Sequence, residues 1–283
     1  MMWLIRVVLL AAACALAGAP ARAAEEVVGM VLDVQGNGEL VRNTQHSKLQ
    51  LLNYVKPGEQ LRLDAGARAS VSHYGAKLIY QLTGPVLAEV DPGAIRVLSG
   101  TALATKSLAE KVVLAALSPN TGPAAFKMRA IMLDVTLLGP KNGTLALNTR
   151  PQFRWEANEA TSYTFTLERA DGAVVAQFKT DASAWEPPPA APLAYGQSYR
   201  WSVAYTSAVD GEARQATAQF QVASEAEHAS LVALRPGAGA PIDEWVLYAS
   251  LLQNRQMLDD ARAVWQEIAA RRPDLSKAGS LAR

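Results

Sequence analysis

The residue types able to do chemistry are few in this chain, and they stand far apart. The three histidines, His46, His73 and His228, fall in a loop, a strand and a late helix. No two share a metal-ligand spacing and none has a cysteine nearby, so a zinc or copper site is not indicated. His73 is expected at a strand end, filling an aromatic slot, where an imidazole readily finds a partner. The single cysteine, Cys14, sits in an apolar N-terminal stretch. Once that stretch is removed no thiol remains for a disulfide, a metal or a nucleophile. Asp33-Val34-Gln35-Gly36-Asn37-Gly38 places oxygen groups beside glycines, which hints at calcium. It lacks the ligand count and terminal Glu of a binding loop and reads as a turn. Asp171-Gly172 and Asp210-Gly211 are turn chemistry too. Asn142-Gly143-Thr144 would accept a glycan only in a eukaryotic secretory setting. No nucleophile elbow, phosphate loop or zinc-protease helix is present. The residues therefore predict no catalytic, metal or cofactor-binding set, and a protein that is not an enzyme.

Aromatic side chains are the remaining means of recognition. Trp155 and Trp201 stand at core positions of strands, whereas Trp185 adjoins the proline run Pro187-Pro188-Pro189. An amphipathic ring there either caps the end of a sheet or faces a ligand. Trp245 and Tyr248 lie on the apolar stripe of a late helix. Trp185, Trp245 and Tyr248 form the candidate binding surface.

The elements that would carry these residues follow from composition and pattern. The chain has 283 residues, half of them hydrophobic, and a formal net charge of +1. That length suits two modest domains with additions. Near-neutral charge and scattered basic residues give no field for nucleic acid. Arg6, the apolar run Val7 to Ala19 and the small-x-small step Ala21-Arg22-Ala23 together read as a secretion signal cut after Ala23. The run is short for a retained membrane helix, and no later stretch is long enough without charges. Ala12-Ala13-Cys14 partly fits a lipid-attachment motif. However, Ala11 stands where Leu is preferred, and the residues after Cys14 stay apolar. A periplasmic or otherwise exported chain is expected.

Residues 24–130 read as short strands broken by glycine. Turn signals stand at Gly36-Asn37-Gly38, Lys56-Pro57-Gly58, Ala65-Gly66 and Gly84-Pro85. Lys111 to Leu117 reads better as a strand than as a helix. The run Val55-Lys56-Pro57-Gly58-Glu59-Gln60-Leu61-Arg62-Leu63-Asp64-Ala65-Gly66-Ala67-Arg68-Ala69-Ser70-Val71 resembles the core of FecR-type domains. Gly58-Glu59 stands for that family's Gly-Asp, Ala65-Gly66 for its Thr-Gly, and Arg68-Ala69 matches directly. The resemblance implies a non-catalytic extracytoplasmic module, best known in sensing and regulation of iron uptake. The membrane helix and cytoplasmic anti-sigma segment of the founding members have no counterpart here.

Residues 131–223 alternate apolar and polar in five clear strands, among them Tyr163 to Leu167 and Tyr199 to Tyr205. With Trp155 and the pattern Leu193-x-x-Gly196-x-x-Tyr199-x-Trp201-x-Val203, they resemble a fibronectin type III or related immunoglobulin-like sandwich. That resemblance implies that Tyr199 is a corner tyrosine whose hydroxyl satisfies backbone. Residues 224–283 switch to helical period. A short helix over Ala226 to Leu234 should stop at Pro236-Gly237, and Asp243 is a plausible N-cap for the next. A final helix ends near Arg271-Arg272-Pro273. The spacing of Trp245, Tyr248-Ala249, Leu252, Ala261, Trp265, Ile268 and Pro273 resembles one tetratricopeptide repeat. One repeat cannot bury its own apolar face, so it must pack on a neighbouring domain, another chain or a copy of itself.

The expected fold class is thus mainly β: a FecR-like all-β domain, an immunoglobulin-like sandwich and a short C-terminal helical segment. The expected function is a binding, scaffold or signalling-accessory module of the bacterial envelope. Its partner would be an envelope protein, or alternatively a glycan such as peptidoglycan.

Overall fold

The computed structural model describes residues 26–108, 135–157 and 162–283. The N-terminal stretch read as a secretion signal, with Cys14, the strand read at 111–117 and the boundary read at residue 130 lie outside these. Among the described residues the fold is mainly β, as expected, with helices at the C-terminal end.

The first β unit contains β1 (Gly29–Gln35), β2 (Gly38–Arg42), β3 (Gln45–Lys48), β4 (Tyr54–Val55), β5 (Gln60–Leu63) and β6 (Arg68–His73). It continues with β7 (Leu78–Thr83), β8 (Val86–Val90), β9 (Ile95–Gly100) and β10 (Ala104–Ser107). They form two five-stranded antiparallel sheets, ordered β10-β7-β6-β1-β4 and β3-β2-β5-β8-β9. Val31, Val71, Tyr80 and Leu82 meet Leu61, Leu63, Ala88 and Val90 in a shared core. The run from Val55 to Val71 supplies much of this. Its alternation puts Leu61, Leu63, Ala69 and Val71 inside, and Gly58 and Gly66 hold the positive φ values of +82° and +79° that its turns require. Glu59 is buried but satisfied: it accepts from Lys56 N at 3.1 Å and pairs with Arg42.

One sheet of this unit is buried on both sides. In β1, Val31 faces the sheet partner, while Met30 and Leu32 face the opposite way. Ile79 of β7 does the same beside Tyr80. A strand covered on both faces reads as a continuous apolar run, which is why Met30-Val31-Leu32 lacks alternation.

The second unit contains β11 (Val135–Gly139), β12 (Thr144–Ala146), β13 (Phe153–Ala157), β14 (Tyr163–Arg169) and β15 (Val174–Thr180). β16 (Ala184–Trp185), β17 (Ser198–Thr206) and β18 (Ala213–Val222) complete it. A sheet β11-β13-β16 packs on a sheet β12-β18-β17-β14-β15, in which β12 runs parallel to β18. This is an immunoglobulin-like sandwich. No cysteine staples it. Instead Phe153, Trp155, Phe165, Trp201 and Phe220 fill the centre, with ring centroids 5.1–6.4 Å apart. The Tyr199 hydroxyl accepts from Ala194 N at 2.9 Å, the corner bond that the resemblance implies.

Four helices follow: α1 (Glu225–Val232), α2 (Ile242–Asn254), α3 (Leu258–Arg271) and α4 (Ser276–Leu281). Ser224 caps α1 by accepting from Glu227 N at 3.2 Å. The expectation that Asp243 caps the next helix is corrected. Pro241 occupies that position without a side-chain bond, and Asp243 turns instead to Lys106. The last helix, α4, has no signal in the sequence, since Pro273 reads as a stop. After that break, Leu275 and Ala278 are buried against the tail's own core.

Candidate functional site

The apolar stripe of α2 and α3 fills the third layer of the molecule. Trp245, Leu247, Leu251, Leu252, Trp265 and Ile268 share one core with Met30, Leu32 and Ile79 of the first unit and with Leu147 and Ala223 at the edge of the second. The helical hairpin is therefore wedged between the two β units. Of the coverings that a lone repeat requires, the neighbouring domains supply this one.

Polar tethers fix the wedge on both sides. Arg272 Nη1 donates to Asp33 Oδ1 at 2.8 Å and Nη2 to Val34 O at 3.0 Å, tying the end of α3 to β1. Its partners Asp274 and Asp33 hold the guanidinium well above its ordinary pKa. Lys106 Nζ of β10 reaches buried Asp243 of α2 at 2.8 Å. Toward the sandwich, Leu145 N donates to Gln256 O at 3.0 Å in the α2–α3 turn, where Gln256 has a φ of +61°. His228 Nδ1 lies 2.9 Å from Leu147 O, with its ring 5.2 Å from that of Tyr195.

Two adjacent carboxylates at the start of α3 are the densest polar point of the junction. Asp260 accepts from Leu147 N at 2.9 Å and from the Asn148 amide at 3.2 Å. Asp259 pairs with Arg154 of β13 at 3.3 Å and with Arg262 at 2.7 Å. Burial, with a smaller push from neighbouring Asp259, raises the Asp260 carboxyl to about 6, although both hydrogen bonds act the other way. A Cβ at Gly139 would lie 2.5 Å from Asp259 Oδ1, so any larger residue there would displace the Asp259 carboxylate. In the sequence Asp259 and Asp260 look like acids favouring a helix N-terminus. Nothing local reveals that they bind another domain.

The sequence-predicted site residues are scattered. Trp185 is half-buried, tilted against Phe153, Phe165 and Phe178 at 4.9–5.5 Å. It closes the edge of the sandwich core. Trp245 is 2 % exposed and lies beneath the guanidiniums of Arg235 and Arg271, 5.8 and 5.6 Å from its ring. Tyr248 is 4 % exposed, and burial raises its hydroxyl pKa. It borders an opening of about 380 Å³ between β7, β10 and the α1–α2 connection. The fold brings Trp245 and Tyr248 together inside the wedge and leaves Trp185 with the sandwich, so the three form no common surface.

The histidines also stay apart. His73 is fully buried; its Nδ1 accepts from Ala76 N at 3.0 Å, which leaves Nε2–H to donate to Asp91 O at 2.9 Å. His46, expected in a loop, lies on the short strand β3 and meets Glu39 across the β2–β3 hairpin at 3.1 Å at the surface. Among the described residues no group of three or more His, Cys, Asp or Glu could hold a metal ion. The buried polar residues Glu59, Ser72, His73, Thr144, Ser207 and Asp243 all bind backbone or an ion-pair partner.

What the sequence reading missed is a sheet edge. β15 has β14 on one side and no strand on the other among the described residues. Val174 and Val175 on it are 57 % and 44 % exposed.

Comparison with known proteins adds little to this geometry. No family model matches the chain, and no curated protein matches it. A solved structure, the apo form of Bacteroides uniformis beta-glucuronidase 3, aligns with 69 % of this chain and 24 % of its own at 8 % identity and a TM-score of 0.23. The likeness is too slight to define a class, and the chain spans about a quarter of that enzyme's length.

Proposed function

We propose that this chain is an exported, non-catalytic binding or scaffold module of the bacterial envelope, held together by its helical tail and docking a protein partner along β15. The observation that carries the reading is the open edge of β15 with its two adjacent exposed valines. A free edge presents unpaired backbone donors and acceptors to an incoming strand, and β-branched side chains suit the added pairing. One charge, Lys179, and a bulge at Val175 guard the strand. The tail supports the scaffold role: its aromatic face is spent between the two β units, a brace that keeps their surfaces in fixed relation. The signal-like N-terminus and the FecR-like run support export and a sensing or accessory role. No helix among the described residues is long and apolar enough to cross a membrane. The buried ionisable residues Glu59, His73 and Asp243 are committed to structural partners, which favours binding over catalysis.

The test places a photo-crosslinking residue at Gln177 and irradiates the chain in envelope extract. One protein should be captured, and Val174→Lys with Val175→Lys should abolish capture without unfolding the chain. A folded protein that captures nothing, or a yield the lysines leave unchanged, would refute the docking strand.

A further inference from the structure

A second opening, of about 520 Å³, lies where the β11–β12 loop meets β17 and β18. Its polar side chains are Asn142, Ser198, Arg200, Gln219 and Gln221, with the Thr144 hydroxyl spent on Lys141 O at 2.7 Å. The registers explain the grouping. Ser198 stands opposite Gln221 and Arg200 opposite Gln219 on the outward face of the sandwich. Asn142 closes the end, its Oδ1 accepting from Gln219 N at 3.1 Å, and Gly143 N donates to Gln219 O at 2.8 Å. Beneath them, buried Tyr199 and Phe220 stack at 5.6 Å and 23°, a rigid base for the polar groups above.

From this lining we infer a binding site for an uncharged glycan. The groups are three carboxamides, a hydroxyl and one guanidinium. A carboxamide offers a donor and an acceptor side by side, and neighbouring hydroxyls on a sugar ring need that combination. Asn142 commits its oxygen to Gln219 N of β18, which leaves its NH₂ to donate. Gln221 commits its nitrogen to Gly196 O at 3.4 Å, which leaves its oxygen to accept. Arg200 faces Glu168 at 3.5 Å, so its charge is balanced. A phosphate or uronate would find no uncompensated cation here. An extended peptide would pair with a sheet edge, whereas this cleft opens on a sheet face. The same chemistry continues along the face: Ser202 lies opposite Thr217, and Thr166 opposite Ser202. These hydroxyl and amide rows can follow an oligosaccharide beyond one ring.

The site shares no residue with β15, so it stands or falls apart from the protein-docking reading. The whole chain is titrated with neutral tetrasaccharides: the β-1,4-linked N-acetylglucosamine tetramer, cellotetraose, maltotetraose and mannotetraose. Tetragalacturonate is the charged comparator, and side-chain amide and Arg Nε resonances are followed by NMR. At least one neutral sugar should shift Gln219 and Gln221 saturably. Gln219→Ala with Gln221→Ala should weaken binding by about tenfold or more, the loss of one to two good hydrogen bonds. His46→Ala with Lys48→Ala, on β3 of the first unit, should leave it unchanged. The inference is overturned if no neutral sugar shifts these resonances at millimolar concentration, if the shifts map elsewhere, or if tetragalacturonate binds better. It is equally overturned if the Gln219→Ala, Gln221→Ala variant, still folded, binds as the wild type does.

Discussion

Replacing Asp260 by asparagine tests how the tail is fastened. The carboxylate is crowded between α3 and residues 147–148 of the second unit, and its pKa is raised from 3.8 to about 6. A carboxyl whose folded pKa exceeds its unfolded value is penalised in the folded state when ionised. The penalty is fully present above about pH 6 and gone below about pH 4. Two pKa units correspond to about 3 kcal/mol. The side chain is only partly shielded from water, and screening reduces the figure to about 1–2 kcal/mol. The carboxamide that replaces it would keep an oxygen on Leu147 N and could not ionise, while its NH₂ needs exposed Asn148 to turn its own amide oxygen inward. Denaturant unfolding should therefore show Asp260→Asn more stable than wild type by about 1–2 kcal/mol at pH 7.5, with the gap closing by pH 4. In thermal unfolding the gain is roughly 2–8 °C for a chain of this size. Stability curves that stay parallel from pH 4 to 7.5 would show that Asp260 titrates like a free carboxylate and that the junction does not desolvate it. A variant less stable at every pH would show that the second acceptor oxygen, which serves Asn148, outweighs the relief of the buried charge.

Other perturbations probe the remaining contacts. Gly139→Ala should push its Cβ into the Asp259 carboxylate, break the bond to Arg154 and destabilise by about 1–3 kcal/mol, with partial rescue in denaturation by Asp259→Ala. Tyr199→Phe leaves Ala194 N–H without an acceptor and should cost about 1–2 kcal/mol in the same assay. Arg272→Ala should speed hydrogen exchange at the end of β1 and in α4, and Arg272→Lys should not restore protection, because one ammonium cannot serve Asp33, Val34 O and Asp274 together. Trp245→Ala should cost about 3–5 kcal/mol, which calorimetry would detect as loosening of the whole chain rather than of the tail alone.

Most of the fold was legible because it rests on local signals. Alternation in Tyr163 to Leu167 and Tyr199 to Tyr205 announces strands with one wet face. Gly58 and Gly66 mark turns that only a left-handed backbone closes. Where legibility failed, a contact made far along the chain had overridden the local signal. Asp243 has the chemistry of an N-cap, but Lys106, 137 residues earlier, pairs with it. β10 and α4 exist because β7 and the tail core give them something to pack on. Their own sequences, Ala104–Ser107 and Ser276–Leu281, carry little pattern.

The candidate surfaces show the same limit from the other side. Large aromatic rings make strong contacts with ligands, yet strong contacts are also what a disulfide-free sandwich and a lone helical hairpin need for themselves. Trp185 goes to Phe165 and Phe178, and Trp245 goes to the wedge. The side chains left facing outward are those the core does not claim: the valines of β15 and the amides of β18. A strand's alternation tells which of its residues face out but not whether its edge is paired, because pairing belongs to the sheet order. β15 and β14 read alike in the sequence. Only the order β12-β18-β17-β14-β15 makes β14 an interior strand and β15 a free edge. A binding surface built from an edge and a row of amides is therefore a property of topology, and in such a protein recognition should be sought first where the sheets end.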